Sequence, residues 1–143
     1  MVFATEKEMV EVIKGSDYIK KITCPGPCVI EDEVCGYFGI PDFVIVKKTH
    51  KKSVSFAFEA KLSNWNRALT QAFRYKAFVN KSYVIMDHDK VKPALLNTEK
   101  FSRSNIGLLS IENSGKVHIH YNPRQESPFS PQLEEKFNAE FKL

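Results

Sequence analysis

No apolar run in this chain approaches the roughly 20 residues that a membrane-crossing helix requires. The opening Met1-Val2-Phe3-Ala4-Thr5-Glu6-Lys7-Glu8 has neither the basic start nor the long apolar segment of a secretory signal. Membrane insertion and export are therefore set aside, and a cytoplasmic location is expected. Cysteine is scarce, with Cys24, Cys28 and Cys35 the only three. A zinc reading would pair Cys24-Pro25-Gly26-Pro27-Cys28 with His118 and His120, which share one face of a late strand. It lacks the two close ligand pairs typical of a structural zinc site, and reduced thiols of a cytoplasmic protein explain the cysteines. Internal repeats and low-complexity tracts are also missing, which excludes solenoid and array architectures. Charge of one sign is in small excess, +4 over the chain, so any polyanion-binding surface must come from where the basic residues fall.

What is present suits one compact domain over residues 1–143. A chain of 143 residues that is 43% hydrophobic and holds 11 phenylalanines can bury one substantial core but hardly two. Periodicity predicts an opening helix near 4–15, strands near 29–38, 42–49 and 54–62, a helix over 64–80 and a strand over 81–87. A second helical stretch follows near 89–101. Ile106–Ile111 and Lys116–Tyr121 then read as a hairpin through Asn113-Ser114-Gly115. Residues 123–143 form a tail with Pro123, Pro128 and Pro131, closed by a short helix from Gln132 to Phe141. That tail either wraps the domain or projects its helix toward a second copy in a homodimer. Strand, helix and strand make a βαβ unit, so the expected fold is α/β. Its mixed central sheet has an antiparallel meander followed by a parallel strand, with helices flanking it.

One pair of segments carries chemistry. Phe56-Ala57-Phe58-Glu59-Ala60-Lys61-Leu62 alternates with period two, so Glu59 and Lys61 share one face while Phe56, Phe58, Ala60 and Leu62 occupy the other. Upstream, Pro41-Asp42-Phe43-Val44-Ile45-Val46 is a β-branched run with proline at its entrance, where the missing N–H is tolerated. The polar Lys47–Ser53 link has the length of a hairpin connection, and antiparallel pairing would bring Asp42 beside Glu59 and Lys61. Converging carboxylates repel unless a cation lies between them, and hard oxygen donors favour Mg²⁺ or Mn²⁺. The backbone carbonyl of Ala60 offers a third ligand. A cation held there polarises a phosphate and activates water, and the Lys61 ammonium is placed to orient that water or offset developing charge.

Asp42, then Glu59-x-Lys61, then Gln71-Ala72-Phe73-Arg74-Tyr75 resembles the PD-(D/E)XK nuclease superfamily over roughly residues 29–121. The resemblance implies a restriction-endonuclease-like fold and a metal-dependent nuclease, with DNA expected ahead of RNA as substrate. It implies Asp42 and Glu59 as metal ligands, Lys61 as the catalytic lysine, and Gln71 facing the metal cleft. Families of this kind usually bring one more acid from upstream. Glu33, close before Asp42 on an adjacent strand, is preferred to Glu8 or Glu11 of the opening helix. A catalytically silent nucleic-acid-binding module of the same fold is the alternative.

The helix bearing Gln71 is expected to bury Trp65, Ala68, Leu69, Ala72 and Phe73, with Asn64 as its cap. Arg67, Arg74 and Tyr75 on that helix, and Lys47, Lys48, Lys51 and Lys52 in the hairpin, are the expected nucleic-acid contacts. A cluster of lysines in such a turn equally serves to block edge-to-edge aggregation.

Overall fold

The computed structural model describes residues 3–16, 19, 28–32, 40–48 and 53–140, with backbone alone for 28–32 and 48. The first helix, α1 (Glu6–Lys14), starts where Thr5 caps it: the Thr5 hydroxyl accepts from the Glu8 N–H at 3.0 Å. Strands β1 (Cys28–Asp32), β2 (Phe43–Lys48) and β3 (Ser53–Lys61) follow. After them come α2 (Trp65–Tyr75), β4 (Lys81–Asp87), a 3₁₀ turn at His88–Lys90, α3 (Lys92–Leu95) and α4 (Thr98–Ser104). Strands β5 (Gly107–Ile111) and β6 (Val117–Tyr121) and helix α5 (Pro131–Glu140) complete the order.

The six strands form one sheet in the order β1-β2-β3-β4-β5-β6. Strands β1, β2 and β3 pair antiparallel, β3, β4 and β5 parallel, and β5 with β6 antiparallel. The α/β class and the mixed sheet, antiparallel meander then parallel strand, are as the sequence predicts. Strand β3 is central and buried almost end to end, because alternate residues enter two different layers. Phe43, Phe58 and Tyr83 stack in a row on the α1 side at centroid spacings of 4.5 and 4.9 Å, with Met9 and Ile13 of α1 above them. On the other side, Ala68, Leu69 and Ala72 of α2 pack with Val84, Met86, Leu108 and Phe101. The buried Ser82 hydroxyl donates to the Ala72 carbonyl at 2.6 Å and ties β4 to that helix. The β5–β6 turn falls where predicted, with Gly115 at φ +94°, a left-handed conformation that glycine adopts without steric cost.

Three local readings are corrected. The helix predicted over 64–80 ends at Tyr75: Ala77, Phe78 and Val79 turn inward to a core with Tyr75 and Phe137, so packing overrides helical propensity there. Asn80 then bridges to the neighbouring strand, its side-chain oxygen accepting from the Ser55 N–H at 3.0 Å. Phe73 lies half-exposed against Phe129 at 5.6 Å, because the buried stripe runs through Ala68, Leu69, Ala72 and Tyr75. The helix predicted near 89–101 breaks into the 3₁₀ turn, α3 and α4. Pro93 sits in the first turn of α3, and Asn97 donates its side-chain amide to the Pro93 carbonyl at 2.9 Å, closing that helix before α4 begins.

The tail returns to the domain. Amides of Glu126, Phe129 and Ser130 donate to the carbonyls of Asn80, Lys76 and Ala77, and Phe137 of α5 is fully buried among Val44, Val46 and Phe78. Among the described residues no helix is long and apolar enough to cross a membrane.

Candidate active site

The site is built where β2 begins and β3 ends. Proline at position 41 has no N–H to donate, so ladder pairing stops at Asp42, whose own N–H donates to the Phe58 carbonyl at 3.0 Å. The Asp42 carboxylate then accepts the Ala60 N–H at 2.7 Å, which fixes an acid across the tip of the β2–β3 pair. Because the N–H and C=O of one strand residue face the same neighbour, the Ala60 carbonyl is directed to this same edge. Glu59 and Lys61 project together on the α2 face, as their spacing predicts. The Lys61 Nζ lies 3.7 Å from Glu59 Oε2.

Glu59 is only 4% exposed. Its Oε1 accepts the Tyr75 hydroxyl at 2.5 Å, and that hydroxyl also lies 3.0 Å from the Ile40 carbonyl. Burial, and then repulsion from Asp42, push the Glu59 carboxyl up to about 7; the Tyr75 hydroxyl and Lys61 oppose that rise without cancelling it. The Tyr75 phenol is itself pushed far above its ordinary range, by burial first and then by its bond to Glu59. The sequence reading put Tyr75 at a nucleic-acid surface. It is instead 1% exposed and supports Glu59 from beneath, because the turn of α2 that carries it faces the sheet.

The acid that joins this group from the opening helix is Glu6. Its Oε2 accepts the Leu62 N–H at 3.2 Å and its Oε1 lies 3.9 Å from Lys61 Nζ. Glu8 and Glu11 are occupied elsewhere: Glu8 accepts the Ala4 N–H in the helix cap, and Glu11 pairs with Lys14 at 3.3 Å. The preferred upstream acid, Glu33, lies outside the described residues. A signal for Glu6 was present in the sequence. Glu6, Met9 and Ile13 fall at i, i+3 and i+7, so Glu6 shares the face that α1 packs on the sheet, whereas Glu8 and Glu11 do not.

Gln71 sits one helical turn before Tyr75 on α2. Its side-chain oxygen is buried without a hydrogen-bond partner, a condition that buried polar atoms seldom tolerate. It lines a shallow pocket of about 380 Å³ with Asn64, Arg67, Thr70 and Arg74. Arg67 and Arg74 are thus on one surface with Gln71 and are exposed. Lys47, the one hairpin lysine whose side chain is described, is not beside the acids. Asp42 immediately precedes β2 and Lys47 is near its other end, five strand steps or roughly 17 Å away. Lys48 is one residue farther along, its side chain outside the described residues, as are Lys51 and Lys52.

His118 converges with His88 and Glu112 at the ends of β4, β5 and β6, and His120 reaches the same group through the Ser110 hydroxyl; Cys24, Cys35 and the side chain of Cys28 lie outside the described residues. Among the described residues, the carboxylates of Glu6, Asp42 and Glu59 and the Lys61 ammonium meet at the C-terminal end of β3. The excess of negative charge, and a buried carboxyl with a raised proton affinity, carry an electrostatic cost that a hard cation would offset. A scan of the chain against protein-family models finds no match, and a search of curated proteins likewise finds none.

Proposed function

We propose that this chain is a Mg²⁺-dependent nuclease of the PD-(D/E)XK type, with a restriction-endonuclease-like fold, that hydrolyses phosphodiester bonds in DNA. The observation that carries the reading is the fixed approach of Asp42 to β3, its carboxylate on the Ala60 N–H at 2.7 Å, which brings two acids and Lys61 to one strand end. The mixed sheet, with its parallel β3-α2-β4 crossover, is compatible with that fold.

The donor set fits Mg²⁺: Asp42, Glu59 and the Ala60 carbonyl are hard oxygens, and Mg²⁺ is commonly held by one or two carboxylates plus substrate oxygens. Bound there, the ion would polarise the scissile phosphate and acidify a water. The remaining tasks belong to the chain. Glu59 is buried and charged only above about 7 in the bare site, so cation binding offsets an existing electrostatic cost. Tyr75 fixes the Glu59 carboxylate through its hydroxyl, and Glu6 holds Lys61 beside it. Lys61 orients the attacking water and offsets charge as its oxygen bonds phosphorus and the 3′ or 5′ oxygen leaves with a proton. Arg67 and Arg74, exposed on α2, contact backbone phosphates, and Gln71 supplies a polar group at the rim.

A calorimetric titration with Mg²⁺ tests this directly. The wild type is expected to take up the ion, weakening about tenfold per pH unit below 7 as a proton competes for Glu59. Asp42→Asn is expected to lose the binding while keeping its circular dichroism. Uptake unchanged in Asp42→Asn, or DNA binding indifferent to chelator with no Mg²⁺ uptake, would favour a silent nucleic-acid-binding module.

A further inference from the structure

We infer that His88, Glu112 and His118 form a second metal site, selective for a transition ion of the zinc class and separate from the acidic site. The cluster is assembled from three strands. His88 follows β4 directly, Glu112 follows β5, and His118 stands opposite Ser110 in the β5–β6 register. One ligand atom from each of the three residues can be chosen so that all lie within 4.8 Å of one another. The closest pair, His118 Nε2 and Glu112 Oε2, is 2.6 Å apart. All three side chains are half-buried, so the donors are accessible to an ion and partly shielded from water.

The surroundings supply what a ligating histidine needs at its second nitrogen. His88 Nδ1 is 2.7 Å from the hydroxyl of Ser110, which is fully buried, and that hydroxyl is also 2.7 Å from His120 Nε2. With protons running from His88 Nδ1 to Ser110 and from Ser110 to His120, His88 presents a bare Nε2. Metal-binding histidines are usually oriented in this way by a hydrogen bond on the other ring nitrogen. Two imidazoles and a carboxylate select Zn²⁺, Co²⁺ or Ni²⁺ over Mg²⁺, and three protein ligands leave a fourth position open. The His88 and His118 rings are stacked at 3.9 Å with 14° between their planes. Ring lone pairs lie in the ring planes, so shared coordination requires one ring to turn about χ2, and donors then settle roughly 3.3 Å apart around a tetrahedral ion. Ser110 is two residues on from Leu108, on the α2 side of the sheet, which also carries Glu59. The two sites thus share a face of the sheet, and the cluster lies two to four residues beyond the level of Glu59 toward the C-terminal ends of β4 and β5.

Cobalt titration of the full chain, carried out in the Glu59→Gln background to silence the acidic site, tests the inference. One equivalent of Co²⁺ is expected to give tetrahedral-type visible absorption without the sulfur charge-transfer band of cysteine ligands, and Zn²⁺ is expected to displace it. His88→Gln and His118→Gln should each abolish the band. Ser110→Ala, which keeps all three ligands, should weaken binding by about 10- to 100-fold. Absence of the band, a thiolate band in its place, or a band that survives both histidine changes would overturn the site. Should either histidine variant lose its far-ultraviolet dichroism, Glu112→Gln decides: an unaltered cobalt spectrum in that variant also overturns it.

Discussion

Glu59 is the residue at which stability and chemistry conflict. An acid whose proton affinity is raised in the fold binds its proton more tightly than in the unfolded chain, so it favours the fold below about 4.5, and that contribution is lost as pH rises through about 7. The loss is on the order of 3 kcal/mol. Glu59→Gln cannot ionise and escapes it. The variant is therefore expected to gain several degrees in Tm relative to wild type between pH 5 and pH 8, measured by thermal denaturation in chelator. A Tm difference that does not change with pH would mean that Glu59 is not strained by burial and by Asp42. Adding Mg²⁺ at pH 8 should raise the wild type and leave Glu59→Gln unmoved, since only a folded state that binds the ion gains by mass action. At this scale the sequence was legible where side chains alternate simply. Glu59 and Lys61 face one way because β3 is regular. Asp42 reaches them because Pro41 ends the ladder. Glu6 is legible only through the stripe it shares with Met9 and Ile13, a face that Glu8 and Glu11, the helix acids the sequence suggests, do not occupy.

At the scale of elements, strands were read more closely than helix ends. β2 and β3 announce themselves by β-branched and alternating residues, and their pairing follows from a short polar link. The end of α2 does not, because Ala77, Phe78 and Val79 continue a helical pattern while their burial against Phe137 demands a turn. The split of the 89–101 stretch depends on Pro93 and the Asn97 side chain acting together. The tail offers two readings in sequence, and Phe137 supports the one that wraps the domain by contributing to the core next to β2. Phe137→Ala removes a fully buried ring and is expected to cost about 3–5 kcal/mol in denaturant unfolding. A cost below about 1 kcal/mol would mean that α5 is dispensable to the fold.

At the scale of the whole molecule, the described cations expected to contact nucleic acid do not share one surface. Arg67 and Arg74 share one exposed surface of α2 with Gln71, whereas Lys47 lies near the far end of β2 from Asp42. Sequence proximity to Asp42 was misleading here because an extended strand carries its ends far apart. Contacts to phosphate release counterions, with a slope of about 0.9 per contact on duplex DNA. The double change Arg67→Ala, Arg74→Ala is therefore expected to reduce the salt slope of DNA binding by about 2, measured by fluorescence anisotropy across a salt series in chelator. An unaltered slope would remove α2 from the nucleic-acid surface.

The central claim is that Asp42, Glu59 and Lys61 form a metal-dependent phosphodiesterase centre. Its most direct test is cleavage of supercoiled, linear, single-stranded and branched DNA by the purified protein in Mg²⁺, Mn²⁺ or EDTA, with Glu59→Gln alongside. The expected result is cutting of at least one of these substrates in Mg²⁺ or Mn²⁺, abolished by EDTA and by Glu59→Gln while the variant stays folded. Cutting that persists in Glu59→Gln, or a folded wild type that binds DNA but cuts none of these substrates with either ion, would contradict it.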